Sequence, residues 1–399
     1  MTNDEMNAQH LPKRVAMVVH AYFPVGEARV KREAELLVRN GVEVVVFCLR
    51  DKDQPLRDLA NGVHIRRLRV KRHRGASLVV YLFEYIAFLF LVSVSLVPPG
   101  LIRKYDVIQF HNPPDFLVFA GLIPKLFGTR LVLDMHEVLP DLFLNRWKLN
   151  KRSLVYRVVC LAERLSVGFV DEVMTVSDPV KEILQSRTGR NDISIVMNVI
   201  DDNLFSRESL VRTEKSGALR MVYQGILARW YDLTLVLRSV KVLSAEYDLR
   251  LDIFGDGPDA QMLRGLVADL GLEKVVKMYG LLPIERIARE IQLADIGLVP
   301  MVNAPYYSDL AIPTKLLELA EAGVPAMAPR LPILQRYFDE DMVQYYDPGV
   351  EGDFTDKLRM LIADPVLRAS VAKNVRRFTQ RYSWQNQGEV MLDVMRRLA

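Results

Sequence analysis

The chain has 399 residues, half of them hydrophobic and 26% charged, with a formal net charge of +4. That length exceeds what one core usually fills, about 250–300 residues, so two domains are expected. So weak a basic excess leaves no electrostatic footprint for nucleic acid. The two cysteines, Cys48 and Cys160, form neither a ligand cluster nor a disulfide framework and fit a reducing, cytoplasmic setting.

Residues 1–13 are polar, lack an apolar signal core and are read as a flexible lead-in. Short apolar runs then alternate with longer helical periods, the pattern of parallel sheets with crossover helices. RVAMVVHAYF reads as a first strand, GEARVKREAELLVRNG as a helix ended by Gly41, and VEVVVFCL and GVHIRRLRV as further strands. DVIQFHN, RLVLDMH, EVMTVS and ISIVMN are buried strands, each closed by a polar residue. A second series follows: LRMVYQG, LRLDIFGDG, VVKMYG, IGLVP, VPAMAP and MVQYYD. The expected fold class is α/β, two doubly wound Rossmann-like domains facing a cleft. The first spans 14–203, a linker 204–218, the second 219–380, and a terminal helix, 381–399, crosses back to the first. Ligands of such sheets bind where the strands end, so the residues that close them are the first site candidates.

Leu78 to Val97 is apolar except for Glu84 and long enough, at about 20 residues, to cross a bilayer. The basic run Arg66 to Arg74 precedes it. Spanning is rejected, because the strands on either side belong to one sheet. Two readings remain: a crossover helix buried on the sheet, or a helix whose outer face lies in an anionic membrane interface through Arg66–Val97.

In SDLAIPTKLLELAEAGVPAM, Ser308, Asp309, Pro313 and Thr314 have the character of a helix start. Such an N-terminus suits a phosphate. Lys315, a cation in the first turn, opposes the helix dipole unless an anion is bound there. Glu318, one turn in, can accept two ribose hydroxyls; an ordinary capped helix explains the same residues. Gly225 would let a ligand approach the backbone, and Arg229 could pair with a diphosphate. His136 could equally be a strand-end histidine bonded to Glu137 or Asp134. Asp339 to Asp341 reads as solvated charge, and no cluster has metal-ligand spacing.

The order of these pieces resembles one family, the retaining GT-B glycosyltransferases of family 4, over nearly the whole chain. In the second domain the resemblance rests on YQGIL, LRLDIFGDGPDAQMLRGLVADLGL, VVKMYGLLP, EIQLADIGLVPM, PTKLLELAEAGVPAMA and YSW. In the first it rests on FPVGEARVKREAELLVRNGVEVVVFCL, YDVIQFHNPPD, LVLDMHEVLPDL, AERLSVGFVDEVMTVSDPV and IVMNVIDDNLF. It implies that Glu318 holds the nucleotide ribose, as the second glutamate of the family's pair. It also implies that Pro313, Thr314, Lys315 and Leu316 meet the donor diphosphate, with Gly26 and Gly225 nearby. His136 would face the donor sugar, and Gly280 and Leu282 the base. Glu27, Arg29, His111 and Asn112 are assigned to the acceptor.

The sequence departs from the pattern at Leu310, which replaces the first glutamate beside Asp309. It departs again at Ile226 and Tyr231, which replace an Arg and a Lys, while Arg229 lies between them. The expected activity is metal-independent retaining transfer from a nucleoside diphosphate sugar, with no cofactor, to an acceptor saccharide or lipid-linked saccharide in surface polysaccharide or glycolipid synthesis. His136, Arg229, Lys315 and Glu318 are the expected catalytic group. A nucleotide-sugar epimerase and a non-catalytic nucleotide-sugar-binding subunit are the alternatives. A dinucleotide oxidoreductase is not expected, because HAYFPVGEARV lacks the glycine fingerprint.

Overall fold

The computed structural model describes residues 10–73, 78–97, 105–147, 150–200, 202–205 and 217–399. Most of the expected linker, the start of the flexible lead-in and Arg74 of the basic run lie outside them. The chain forms two compact units. One runs to Asn198 and includes Gln385–Ala399; the other is Val199–Trp384. Residues 199–203 therefore belong with the second unit, not the first.

In chain order the first unit has β1 (Arg14–Tyr22), α1 (Ala28–Arg39), β2 (Glu43–Leu49), β3 (Arg57–Ala60), β4 (Val63–Leu68), α2 (Leu78–Leu96) and β5 (Val107–His111). A 3-10 helix (Asp115–Gly121), α3 (Leu122–Leu126), β6 (Arg130–Met135), α4 (Leu139–Trp147), α5 (Leu154–Phe169), β7 (Glu172–Thr175), α6 (Asp178–Thr188) and β8 (Ile193–Ile195) follow. The sheet order is β3-β4-β2-β1-β5-β6-β7-β8. Every pair is parallel except β3–β4, an edge hairpin that the apolar pattern does not announce because β3 is mostly exposed. The inner strands are Val- and Leu-rich runs buried along their length, as a sheet covered on both faces requires.

The second unit begins with α7 (Asp202–Phe205) and continues with β9 (Leu219–Gln224), α8 (Leu233–Leu243), β10 (Leu249–Phe254), α9 (Ala260–Asp269), β11 (Val276–Gly280), α10 (Ile284–Gln292) and β12 (Ile296–Leu298). Then come α11 (Pro305–Leu310), α12 (Thr314–Glu321), β13 (Ala326–Pro329), α13 (Pro332–Tyr337), β14 (Gln344–Tyr346), α14 (Glu351–Ala363), α15 (Pro365–Asn374) and α16 (Arg376–Arg381). Its sheet is wholly parallel, in the order β11-β10-β9-β12-β13-β14. In both sheets the first strand is central and the connections depart from it in opposite directions. That arrangement opens a crevice at the carboxyl ends of β1/β5 and of β9/β12.

The last helix, α17 (Trp384–Leu398), packs its Met391, Leu392 and Met395 with β1, β2 and α1 in the core of the first unit. The Gln387 side chain accepts from the Met197 N–H at 2.6 Å, and Arg397 pairs with Glu172 at 2.9 Å.

α2 is partly a crossover helix and partly an exposed one. Glu84, Phe88, Val92 and Leu96, four residues apart, are buried, while Phe83 (69% exposed) and Phe90 (66%) face outward. The strands before and after it lie in one sheet, which rules out spanning without tearing that sheet apart.

Candidate active site

In the second unit, three strands end on glycines that stack. The Gly225 N–H donates to Phe254 O at 2.9 Å and the Gly255 N–H to Gly280 O at 2.8 Å. Gly255 has φ +140°, and a Cβ there would lie 1.8 Å from Gly225 O, so no side chain fits. Gly225 itself has φ +127° and is exposed, and a Cβ would meet Lys315 Nζ at 3.2 Å. The glycines thus leave bare backbone at the crevice.

Beneath this backbone, Gln224 Nε2 donates to Lys315 O at 3.2 Å and to Glu318 Oε2 at 3.1 Å. Gln224, unremarked in the sequence, ties the end of β9 to the first turns of α12. Burial pushes the half-buried Glu318 carboxyl up to about 7, against the opposing pull of Gln224 and Lys315.

The Lys315 side chain does not reach outward. It is buried, Nζ donates to Tyr223 Oη at 2.9 Å, and the ammonium lies 3.2 Å from the Tyr231 ring centre and 4.2 Å from that of Tyr223. Burial holds its pKa well below the usual lysine range. Tyr231, noted as a departure, is one wall of this aromatic box. Arg229 remains exposed, with no hydrogen-bond or ion-pair partner among the described residues.

The helix start also differs from expectation. Ser308 and Asp309 belong to the preceding α11, where the buried Ser308 donates to Asn303 Oδ1 at 2.8 Å and Asp309 is exposed. α12 is capped by buried Pro313 without a side-chain bond, Thr314 is exposed, and the Leu316 side chain is fully buried. Leu316 can therefore offer a ligand no side chain, and its N–H is spent on Pro313 O. Gly280 closes β11, with Leu282 half-buried just beyond. Asp339, Glu340 and Asp341 pair with Arg330 and Arg377 at the surface.

The crevice of the first unit is a cavity of about 330 Å³ lined by His20, Glu27, Arg72, Tyr81, His136 and Glu137 among others. Behind it lies a buried polar network. Arg29 grips Asp134 with two parallel bonds of 2.9 Å, donates to Val196 O at 2.6 Å and pairs with Glu33 at 3.0 Å. Burial alone would raise the Asp134 pKa, but Arg29, His136 and His111 hold it well below the usual carboxylate range. His136 Nε2 lies 2.9 Å and His111 Nδ1 3.2 Å from Asp134 Oδ2. Of the two bonding partners considered for His136, the structure selects Asp134.

Two acceptor assignments, Arg29 and His111, are thereby corrected. Arg29 is buried and its guanidinium already bonded, so it positions Asp134 and is not offered to a saccharide. The His111 side chain is wholly enclosed. Asn112 lines the cavity, though largely buried; it donates to Asp115 at 2.8 Å and Glu137 O at 2.6 Å, and accepts from the N–H groups of His136 and Glu137. It fastens β5 to the turn after β6. Glu27, at the start of α1 beside exposed Gly26, does line the cavity, and burial raises its pKa.

His111, Asp134 and His136 bring their donor atoms within 4.8 Å, a spacing a metal ion could use. The same atoms are hydrogen-bonded to one another, and Asp134 also to Arg29.

Residues 26–198 match the family described as Glycosyl transferase 4-like domain, and residues 207–378 match Glycosyl transferases group 1. The chain belongs to the GT-B glycosyltransferases, of the family 4 type. It is 23% identical to an uncharacterized glycosyltransferase of Methanocaldococcus jannaschii, over 94% of this chain and 95% of that one. Its fold is similar to sucrose-phosphate synthase from Thermosynechococcus elongatus, with TM-score 0.74 and 15% identity over 97% of this chain and 99% of that one. It is also similar to Anabaena HepE in complex with UDP-glucose, with TM-score 0.68 and 14% identity over 96% and 99%.

Proposed function

We propose that this glycosyltransferase moves a sugar from a nucleoside diphosphate donor to an acceptor hydroxyl with retention of configuration and without a metal ion. The observation that carries the reading is Glu318, held by Gln224 beside the bare backbone of Gly225. A carboxylate poised there can accept the two hydroxyls of a ribose. The UDP-glucose in the HepE structure supports a donor of this class.

In the proposed step the acceptor oxygen attacks C1 on the face from which the diphosphate departs. The C1–O bond to the diphosphate breaks, the new glycosidic bond forms on that face, and a departing phosphate oxygen takes the acceptor proton. Exposed Arg229 and the N–H groups at the start of α12 stabilise the leaving charge. Lys315, boxed by tyrosines, shapes the floor under Gly225. His136, fixed by Asp134, orients the sugar, and Glu27 faces the acceptor.

The acceptor fits a lipid-linked saccharide of surface polysaccharide or glycolipid synthesis, met at the inner face of the membrane. The outward phenylalanines of α2 and the exposed Arg69, Lys71 and Arg72 beside it support this placement.

Glu318→Ala removes one charge-assisted interaction, so kcat/KM should fall roughly 10–100-fold, with a raised donor KM. Steady-state kinetics with each candidate donor checks this, and unchanged kinetics would remove Glu318 from the site. A nucleotide at a hundred times its Kd should stabilise the protein by about 2.7 kcal/mol in a thermal-shift screen, equally with EDTA or Mg²⁺.

A further inference from the structure

We propose that α5 is a second bilayer-contacting helix, which together with α2 forms one surface for anionic lipid; the proposal deepens the membrane placement above and rests on it. α5 carries a series of apolar residues, among them Leu154, Val158, Leu161 and Leu165. In the structure they are not core. Leu154 is 74% exposed, and Val158, Leu161 and Leu165 are each more than half exposed, forming a stripe along one side of the helix.

The exposed residues between Lys151 and Gly168 are those four, Val155, Gly168 and four cations: Lys151, Arg152, Arg157 and Arg164. None is acidic. The one carboxylate of the helix, Glu163, is buried and bonded to Arg187. An apolar stripe flanked only by cations matches the interface of an anionic bilayer, hydrocarbon below and phosphate above.

The two helices share a layer. Tyr85 of α2 meets Phe116 of the 3-10 helix at 6.3 Å, and Phe119 of that helix meets Phe169 of α5 at 5.1 Å. The short α3 adds Leu126, 76% exposed, next to the 3-10 helix. A patch of this breadth exceeds the scattered apolar residues of an ordinary protein surface. The cavity with Glu27 and His136 is also lined by Tyr81 and Tyr85 of α2, so the acceptor crevice lies at the margin of this surface.

The test is co-sedimentation of the full chain with vesicles of phosphatidylglycerol and phosphatidylcholine at low salt, and with phosphatidylcholine alone. Three double variants are compared: Leu161→Glu/Leu165→Glu and Arg157→Glu/Arg164→Glu on α5, and Phe83→Glu/Phe90→Glu on α2. All are surface changes, and circular dichroism checks that each remains folded. The proposal expects the native protein to prefer anionic vesicles and both α5 variants to lose roughly tenfold or more in partitioning. If only the α2 variant loses binding, the role of α5 is overturned while the membrane placement stands. If the native protein binds no vesicle, the membrane placement itself fails. If the α5 variants bind vesicles normally but convert a dimer to a monomer in analytical ultracentrifugation, the face belongs to a second copy of the chain.

Discussion

Glu318 and Asp134 are both carboxylates at strand-end crevices, yet their surroundings drive them apart. Asp134 has Arg29 and is held well below the usual carboxylate range; Glu318 has an amide and a buried lysine, and burial lifts it to about 7. The folded protein therefore holds the Glu318 proton more tightly than the unfolded chain does. Its contribution to stability falls as pH rises from about 4.5 to about 7. Glu318→Gln should consequently melt higher than the native protein at pH 8, with the gap closing by pH 5, as calorimetry across that range would show. For Asp134 the sign is reversed, and the stronger test is removal of its charge. Asp134→Asn takes the bidentate carboxylate from the buried Arg29, leaving it only the Glu33 carboxylate, and should cost about 3 kcal/mol, read as a drop in denaturant midpoint. At this scale the sequence was partly legible. Glu318, Gly225 and His136 stand out by type and position. Lys315 and Arg29 look like ligand groups too, and only packing reveals that they are spent on Tyr223 and Tyr231 and on Asp134.

Among the elements, the parallel strands were the most legible, because a strand buried on both faces must be a continuous apolar run. β3 was missed for the opposite reason, being mostly exposed and short. Ser, Asp and Pro all favour a helix start, so the sequence suggests a single one over 308–314. The chain instead ends α11 at Leu310 and restarts at Thr314. α17 illustrates an element whose role depends on distant partners. Its Met395 is fully buried against the first unit, so Met395→Ala should cost about 3 kcal/mol and lower Tm by roughly 6–12 °C, measured by differential scanning calorimetry.

For the molecule as a whole, two similar sheets carry two different kinds of crevice. One is bare glycine backbone above a helix start; the other is a cavity backed by a charged network. The sequence showed this division through the two strand series, but not how much of the outer surface of the first unit is apolar, since exposure cannot be read from residue type. The edge strand β3 has a consequence of its own. Without it, β4 would present a free row of backbone donors and acceptors on the outside of a long, strongly apolar sheet, an open template for another chain. The hairpin closes that row with Arg57 and Asp58 facing solvent, and Arg67 bonds back to Asp58 at 3.1 Å. The exposed edge is thereby reduced to a four-residue strand with two charged side chains, a poorer template for another copy of the chain than β4 would be, in a protein that already carries much exposed apolar surface.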